Sequence, residues 1–305
     1  YRSHKLAWVG PLCYHPVDYT SRDESTLMPI SFDDLPQPAG RNIAVHVKPA
    51  AERALRAGHP WLFEGAIRKQ SRDGAPGDLA VIFDSNRDFL AIGLYDPASP
   101  IRVKVLQHRQ QARINADFFA ERIQAAVALR APLNTPDTNA YRLIHGENDR
   151  LPGLVVDRYA DTLVLKLYTA AWLPHLRHII PLLSAAQPHQ QLILRASRNI
   201  SDELSIYNLH DGQALHGQLP TEPIPFRENG LHFAADVVHG HKTGFFFDQR
   251  ENRARVRALA SGKRVLDVFA YSGGFSVYAA AGGATAVTSL DISGPALNDA
   301  QANMA

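Results

Sequence analysis

Short runs of alternating apolar and polar residues mark the region after residue 42. Residues 78–84 and 89–95 are apolar runs on either side of a polar turn, and residues 101–107 alternate between apolar and polar side chains. Runs of this length and period predict β-strands. Residues 43–47 predict a further strand, and residues 50–57 predict a short helix. The pattern indicates a small β module, which we expect to be a barrel.

The next block mixes helical and strand patterns. Residues 115–129 predict a helix with Phe118, Ile123 and Leu129 on its apolar positions. The further elements predicted here are strands at 154–156 and 162–167 around a hairpin turn at 157–161, a helix at 175–183, a strand at 191–195, and another strand or extended piece at 201–208. This α+β block shows no catalytic constellation of its own, so we expect it to have a positioning role.

From residue 224 onward the pattern becomes that of a parallel sheet. Residues 224–234 predict a hairpin that turns at Asn229-Gly230. Residues 265–269 predict a buried strand, residues 270–274 a glycine turn and residues 275–281 a helix. Residues 284–290 predict a second strand. Such a unit is half of a doubly wound sheet, whose ligand crevice lies at the carboxyl ends of the strands.

The helix ahead of this unit carries two polar patterns. Asp248 and Glu251 have the spacing of a capping box, in which Asp248 caps the helix and Glu251 reaches back to it. Arg250, Arg253 and Arg257 share one helix face, which suits either phosphate groups or solvent. The predicted cap would hold the residue after Asp248 at the rim of a ligand pocket.

The residues at the crevice favour S-adenosylmethionine (SAM) over a dinucleotide. Asp291, at the end of the second strand, can accept hydrogen bonds from both hydroxyls of a ribose. A dinucleotide needs glycines along the turn so that its pyrophosphate reaches the helix N-terminus, but Tyr271 and Val277 stand at two of those positions. The chain also has no G-x-x-x-x-G-K-[ST] phosphate loop.

SAM has no phosphate, and its methionine end offers a carboxylate and an ammonium. Asp267 can reach the ammonium through a water molecule, and the backbone amides of residues 272–274 can receive the carboxylate. The alternative is that Gly273-Gly274 merely connects two elements and that Asp291 merely caps a helix.

Two long motifs then carry a family resemblance. K-T-G-F-F-F-D-Q-R-E-N-R at 242–253 and V-L-D-V-F-A-Y-S-G-G-F at 265–275 resemble class I SAM-dependent methyltransferases that modify 23S ribosomal RNA, with the bacterial large-subunit 5-methylcytosine enzymes as the nearest branch. H-P-W-L-F at 59–63 resembles the opening of their PUA RNA-binding domain. G-E-N-D-R-L-P-G-L-V-V-D-R-Y at 146–159 resembles their central domain. The resemblance covers residues 43–305.

The resemblance implies a cofactor site for SAM. In it Gln249 and the turn at 271–274 line the pocket, Asp291 binds the ribose and Ile292 packs on the adenine. The predicted cofactor-binding residues are Gln249, Asp267, Phe269, Tyr271, Ser272, Gly273, Gly274, Asp291 and Ile292. The catalytic residue is left unknown.

The predicted fold class is α/β multidomain: a small β-barrel PUA-like domain, an α+β central domain and the first part of a Rossmann-like methyltransferase domain. We expect a poorly ordered tail or extension at 1–42 and domains at 43–112, 113–223 and 224–305. Family members continue past the position of Ala305 with more strands and a catalytic loop. We therefore expect the catalytic half to be absent from this chain, its cofactor affinity to be weakened or lost, and no turnover.

The resemblance also implies methylation at carbon 5 of a cytosine in 23S ribosomal RNA. That reaction needs a Cys thiolate that adds to the ring. The single cysteine is Cys13, which lies in the tail, and we do not expect it to be the nucleophile. Either the nucleophile lies beyond Ala305 or another atom is methylated.

Composition changes this picture little. A net charge of +2 and a pI of about 8.7 are compatible with RNA without requiring it. A single cysteine excludes a disulfide framework and indicates a reducing, cytoplasmic compartment. No apolar run approaches the roughly 20 residues of a membrane span. His239-Gly240-His241 lacks the further ligands of a recognisable metal set, so no metal is expected.

Some assignments stay open at this stage. Trp61, Phe63 and Tyr95 can stack on unpaired RNA bases or belong to the core. The basic run between residues 102 and 113 can track phosphate or form a solvated face. Ribosomal RNA is the expected partner, a membrane is not, and a homodimer is left open. The competing functions are an RNA-binding protein with a vestigial methyltransferase domain and, less well supported, a nicotinamide dehydrogenase.

Overall fold

The computed structural model describes residues 35–305, which form two compact units. The amino-terminal unit contains the described residues up to Ile224 together with Asp236–Gly244. The carboxy-terminal unit contains Pro225–Ala235 and Phe245–Ala305. Most of the predicted tail, including Cys13, lies outside the described residues.

A six-stranded sheet opens the amino-terminal unit. Its elements are β1 (Ile43–Val47), α1 (Pro49–Arg56), β2 (Trp61–Phe63), β3 (Ile67–Gln70), β4 (Leu79–Phe83), β5 (Phe89–Tyr95) and β6 (Ile101–His108). The strand order is β2-β6-β5-β4-β1-β3, and only β1 and β4 run parallel. The predicted helix and four predicted strands of this module are confirmed. Sequence patterns miss β2, which has three residues, and β3, which is mostly polar.

A second sheet with its helices completes the unit. Its elements are α2 (Ala116–Arg130), β7 (Ala140–His145), β8 (Leu154–Tyr159), β9 (Thr162–Leu167), α3 (Leu176–Ala186), β10 (Gln191–Ala196), α4 (Ser201–Ser205) and β11 (Ala214–His216). The order is β11-β10-β9-β8-β7, with β9 and β10 parallel. The Asn115 side chain accepts a hydrogen bond from the Phe118 amide and so caps α2. Phe119, Ile123 and Trp172 are fully buried in the main core of this unit.

Two details of the predicted second sheet are wrong. Residues 201–208 are not extended, because α4 spans Ser201–Ser205. Ile200 and Leu204 are four residues apart and both enter the core, which one helical turn achieves. The hairpin turn is also shorter than predicted, since β8 continues to Tyr159 and the chain turns at Ala160 with φ 51°.

The buried carboxylate of Asp157 explains why β8 continues through this polar stretch. It accepts hydrogen bonds from Arg142 at 2.9 and 3.1 Å and from the hydroxyl of Thr243 at 2.7 Å. A buried charge is stable only when it is paired in this way. Asp157 therefore belongs to the strand interior and not to a solvent-facing turn.

The two motifs of the amino-terminal unit meet in space. The indole N–H of Trp61 on β2 donates to Glu147 Oε1 at 2.9 Å. Next to Glu147, the Asp149 carboxylate accepts the His145 backbone N–H and pairs with Arg130. The H-P-W-L-F and G-E-N-D segments, 86 residues apart at their hydrogen bond, thus form one local structure.

The carboxy-terminal unit follows the predicted order of elements. They are β12 (Ile224–Glu228), β13 (Leu231–Ala235), α5 (Arg250–Leu259), β14 (Arg264–Val268), α6 (Gly274–Ala281), β15 (Ala286–Leu290) and α7 (Gly294–Met304). β12 and β13 form the predicted hairpin, with positive φ at both Asn229 and Gly230, as a type I′ turn requires. β14 and β15 pair in parallel, with Val265 opposite Val287. The predicted strand, turn, helix and strand are present, but the prediction that the first strand is buried is wrong, because Leu266 and Val268 on β14 are exposed.

Aromatic packing holds the hairpin of this unit to α6. Phe226 and Phe233 on the hairpin contact Phe245, with ring centroids 5.1 and 5.2 Å apart. Phe233 also stacks on Tyr278 of α6 at 6.2 Å. Aromatic side chains bury large areas and add a specific pair energy, so this cluster fixes the segment that follows residue 244. Within residues 35–305, no helix is both long and apolar enough to cross a membrane.

Candidate cofactor site

The segment between β14 and α6 has a strained backbone. Phe269, Tyr271 and Gly273 have φ values of 64°, 49° and 76°, in a region that side-chain-bearing residues rarely adopt. A Cβ added to Gly273 would lie 2.8 Å from the Cβ of Ala300, so only glycine fits there. Non-glycine residues in this region cost on the order of 1–3 kcal/mol each and cluster at ligand sites. The strained segment coincides with the predicted turn.

Asp291, just after β15, is bound to this turn. Its Oδ2 accepts the backbone N–H of Tyr271 at 2.8 Å, and its Oδ1 accepts the backbone N–H of Ser293 at 2.9 Å. The N-cap of α7 is Ser293, so Asp291 is not the helix cap. Each carboxylate oxygen has two acceptor positions. Asp291 is therefore held in a fixed orientation with acceptor capacity left for ligand hydroxyls.

A second carboxylate, Asp267 on β14, lies in the same region. It accepts a hydrogen bond from the Ser276 hydroxyl at 2.7 Å. Burial raises the pKa of Asp267, the hydrogen bonds from Ser276 oppose that rise, and the charge of Asp291 adds to it. Because the negative charge of Asp291 adds to the rise in the pKa of Asp267, a cation near Asp267 is favoured, and this end of the sheet suits a ligand with a positive group.

A cavity of about 190 Å³ opens beside the turn. It is lined by Phe245, Phe246, Gln249, Arg253, Phe269, Ala270, Tyr271, Ser272, Gly274 and Phe275. The rings of Phe246 and Tyr271 meet edge to face, with centroids 5.1 Å apart. Pockets for drug-sized ligands usually have roughly 300–1,000 Å³, so this cavity has room for only part of such a molecule.

The predicted site residues come together around this cavity in two groups. Five of the nine line it: Gln249, Phe269, Tyr271, Ser272 and Gly274. The other four lie around the same turn without lining it: Asp267, Gly273, Asp291 and Ile292. The side chain of Ile292 is fully exposed. Their role in binding a cofactor stays a prediction.

Sequence reasoning did not assign a role to several of the lining residues. Phe245 and Phe246 belong to the F-F-F run of the first motif, and Phe275 ends the second. An aromatic run next to a polar residue such as Gln249 was the signal available for a wall of a binding site. Arg253 was predicted elsewhere, on an exposed helix face.

That prediction for Arg253 is wrong, because the side chain is only 2% exposed. Its Nε and Nη2 donate to the two carboxylate oxygens of Glu228 at 2.8 and 2.7 Å, and its Nη1 donates to the Phe246 carbonyl at 2.9 Å. The hydroxyl of Tyr278 donates to the same carboxylate at 3.0 Å. A buried carboxylate requires a paired cation, and this need overrides the helical spacing.

The Arg253–Glu228 pair supports one wall of the cavity. The guanidinium lies 4.5 Å from the ring centroid of Phe245 and holds the backbone of Phe246. Burial raises the pKa of Glu228, and the charge of Arg253 opposes that rise. The pair thus fixes the two aromatic residues against β12, and it positions Phe246 toward Tyr271.

The predicted capping box is also wrong. Residues 247–249 form a 3₁₀ turn and Gln249 occupies the N-cap of α5 without a side-chain cap. Asp248 instead accepts a hydrogen bond from the Gln249 side chain, and Glu251 pairs with Arg250. The 3₁₀ turn shifts the start of the helix past Asp248, so its carboxylate cannot reach the first helical amides. Gln249 nevertheless lines the cavity.

The histidine pair considered for a metal lies in the other unit. The Nδ1 of His239 is 3.5 Å from Asp236 Oδ2, and the side chain is 83% exposed. Across residues 35–305, no group of three or more His, Cys, Asp or Glu side chains is arranged to hold a metal ion.

Comparison with known proteins places this geometry in a family. A family model for a PUA-like domain matches residues 45–108, and one for an S-adenosylmethionine-dependent methyltransferase matches residues 207–305. The chain is 51% identical over 275 residues to a ribosomal RNA large subunit methyltransferase of Deinococcus radiodurans, which covers 88% of the chain and 67% of that protein. It is 39% identical to ribosomal RNA large subunit methyltransferase I of Shewanella denitrificans, and the match covers 86% of the chain and 66% of that protein.

Solved structures show the same fold. A candidate SAM-dependent methyltransferase from Streptococcus mutans superposes with a TM-score of 0.73 at 24% identity, covering 85% of the chain and 66% of that structure. A candidate methyltransferase complexed with SAH gives the same TM-score and identity, with 86% and 65% covered. The chain spans about two thirds of the length of the curated relatives it matches.

A PUA-like domain joined to a methyltransferase domain defines the class, a SAM-dependent methyltransferase with a PUA-like module. Within that class, the chain belongs to the ribosomal RNA large subunit methyltransferase family. The predicted fold class and the predicted cofactor, S-adenosylmethionine, are confirmed for this family. This membership displaces the nicotinamide dehydrogenase hypothesis.

The buried pair gives a stability prediction. Arg253→Met is expected to lower the free energy of unfolding by about 3–5 kcal/mol near neutral pH, because Glu228 stays buried without its cation. A carboxyl group whose pKa is raised by folding contributes to the free energy of unfolding at pH values below its unfolded-state pKa. This contribution is lost as the pH rises through the folded-state pKa. The loss in Arg253→Met is therefore expected to shrink as the pH falls to about 5. Urea unfolding of both proteins between neutral pH and pH about 5 measures this difference in the free energy of unfolding.

Two further variants control this measurement. Arg253→Met combined with Glu228→Gln should recover at least half of the loss, since no buried charge is left. Arg257→Met, on the same helix, should change stability by no more than about 0.5 kcal/mol. An Arg253→Met loss that is the same at all pH values, or is not recovered in the double variant, would contradict the role given to the pair.

Proposed function

We propose that the protein is a SAM-dependent methyltransferase that acts on large-subunit ribosomal RNA at carbon 5 of a cytosine. The observation that carries the cofactor part is the carboxylate of Asp291, held by the Tyr271 amide beside the cavity. The substrate part rests on the relatives, which are ribosomal RNA large subunit methyltransferases. Carbon 5 and 23S RNA rest on the resemblance of the two long motifs.

The residues of the cavity suit each part of the cofactor. Asp291 has acceptor capacity for ribose hydroxyls, and Asp267 lies where a positive ligand group is favoured. The rings of Phe246 and Tyr271 offer faces that attract a cation such as a sulfonium. When bound, SAM supplies an electrophilic methyl group. The contribution of the chain is to orient the ligand and exclude water, which is how methyl transfer gains most of its rate.

Cofactor binding tests the first part of the proposal. Asp291→Ala is expected to weaken SAM binding at least about tenfold, because hydrogen bonds to a charged acceptor are worth roughly 1.5–3 kcal/mol each. The SAM affinity of Asp291→Asn should lie between those of the unaltered chain and Asp291→Ala, because the amide oxygen of Asn can still accept the Tyr271 N–H but carries no charge. Isothermal titration calorimetry with SAM measures all three proteins.

The matched control is Glu251→Gln, which alters an exposed carboxylate on α5. It should bind SAM like the unaltered chain. If neither the folded chain nor the product of the whole gene gives saturable heat with SAM, the cofactor site is contradicted, and the alternative of an RNA-binding protein with a vestigial methyltransferase domain is favoured.

Analysis of ribosomal RNA tests the second part. Deleting the gene from its host is expected to remove a 5-methylcytosine from large-subunit ribosomal RNA, detected by mass spectrometry of nuclease digests. A plasmid copy of the whole gene should restore it, and a copy carrying Asp291→Ala should restore it poorly. Loss of a different modified nucleotide would contradict carbon 5 of cytosine, and an unchanged digest would contradict ribosomal RNA as the substrate.

A further inference from the structure

Three aromatic side chains form a cluster at β2, which lies at one edge of its sheet. Trp61 and Phe63 are two residues apart on the strand, so they project to the same side, and His59 lies just before the strand. Their ring centroids are 5.9 Å (His59 to Trp61), 6.3 Å (His59 to Phe63) and 6.5 Å (Trp61 to Phe63) apart. Phe63 is 46% exposed. We call these three residues the aromatic platform.

Hydrogen bonds hold the platform in one orientation. The Trp61 indole N–H donates to Glu147 at 2.9 Å, and the Trp61 backbone N–H donates to His59 Nδ1 at 3.2 Å. Side chains that are already ordered lose little conformational entropy when a ligand binds. Tyr95, the third aromatic residue considered for base contact, is only 4% exposed and its hydroxyl bonds to Gln70. Tyr95 therefore belongs to the core.

A cavity lined by two arginines lies in the same β module. It has a volume of about 330 Å³ and is lined by Arg56, Phe89, Leu90 and Arg109. Arg109 donates to the Arg56 carbonyl at 2.7 Å, which places the two residues side by side. Arg56 also pairs with Glu52 and Asp84, and its side chain is 53% exposed. Arg109 is exposed.

Two other residues of the basic run at 102–113 lie next to carboxylates. Lys104 is only 5% exposed and lies 3.9 Å from Asp96, and Arg102 pairs with Glu64 at 2.7 Å. Of the two alternatives left open for the run, phosphate contact and a solvated face, neither fits the buried Lys104. Arg109 lines the cavity described above.

The cavity and the platform are neighbours. His59 follows Arg56 by three residues, and His108 directly precedes Arg109. Burial is the main cause that lowers the pKa of His108, and the charges of Arg109 and His59 lower it further. The backbone N–H of His59 donates to the Ala54 carbonyl at 3.0 Å, and Arg109 donates to the Arg56 carbonyl, so both residues lie at the carboxyl end of α1.

We infer that the aromatic platform stacks on unpaired bases of a single-stranded RNA, while Arg56 and Arg109 bind phosphates of the same strand. Aromatic faces beside guanidinium groups are the combination with which proteins hold single strands, since every base has a face to stack and every nucleotide a charge. A protein partner would not need the two guanidinium groups beside the rings. That the RNA is ribosomal rests on the proposed function.

The test uses a fluorescein-labelled single-stranded RNA of about 12 nucleotides and the full chain, in an anisotropy titration over a series of salt concentrations. Phe63→Ala is expected to weaken binding about 5- to 150-fold without changing the slope of log affinity against log salt. Arg109→Gln is expected to reduce that slope by about 0.7, the value for one phosphate contact on a single strand.

Controls separate stacking from folding. Leu129→Ala removes a side chain that is 70% exposed on α2 and should leave RNA affinity unchanged. Trp61→Phe keeps an aromatic ring and should retain most of the affinity, whereas Trp61→Ala should not. Circular dichroism checks that each variant is folded.

The outcomes distinguish this inference from the proposed function. SAM titration of Phe63→Ala should match the unaltered chain; if the chain binds no SAM but Phe63→Ala still weakens RNA binding, only the proposed function fails. The inference is overturned if the chain does not bind the RNA, if Phe63→Ala binds it normally, or if a duplex competes equally well. It is also overturned if sedimentation shows a dimer that Phe63→Ala dissociates, since the platform would then be a protein interface.

Discussion

The Arg253–Glu228 pair is the interaction on which the candidate site depends most. It is buried, it joins α5 to β12, and its third hydrogen bond holds the backbone of Phe246. A buried ion pair gives little net stability because desolvation offsets the attraction, but losing one partner is costly. Its value here is positional: it fixes the aromatic wall that faces the strained turn at Tyr271.

The turn itself was predictable because its causes are local. Glycine at a left-handed position, an apolar run before it and a carboxylate at the end of the next strand are all visible in the sequence. The same holds for the Asn229-Gly230 hairpin and the strands of the β module. Arg253 was misplaced because its partner is 25 residues away, and spacing on a helix reports only neighbours three or four residues apart. The capping box failed for a related reason, since a 3₁₀ turn moved the helix start past Asp248.

Two motifs of the amino-terminal unit lie far apart in the chain but meet in the fold. H-P-W-L-F and G-E-N-D look independent in the sequence, yet Trp61 bonds to Glu147. The contact explains why the indole of Trp61 is half-buried, whereas Phe63 on the same edge strand is exposed. The amino-terminal unit thus offers a preorganised aromatic surface, and the carboxy-terminal unit offers a cavity with two carboxylates beside it. Each matches one requirement of the family, RNA contact in one case and cofactor binding in the other.

Hydrogen–deuterium exchange of the chain with and without saturating SAM tests the central claim, that the strained turn and its flanks form the cofactor site. Amides engaged by a ligand exchange more slowly. SAM is expected to slow exchange in residues 269–275, in the segment around Asp291 and in residues 245–249. The Asp291→Ala variant should lose this protection. Protection confined to other segments, with these three unchanged while SAM is bound, would contradict it.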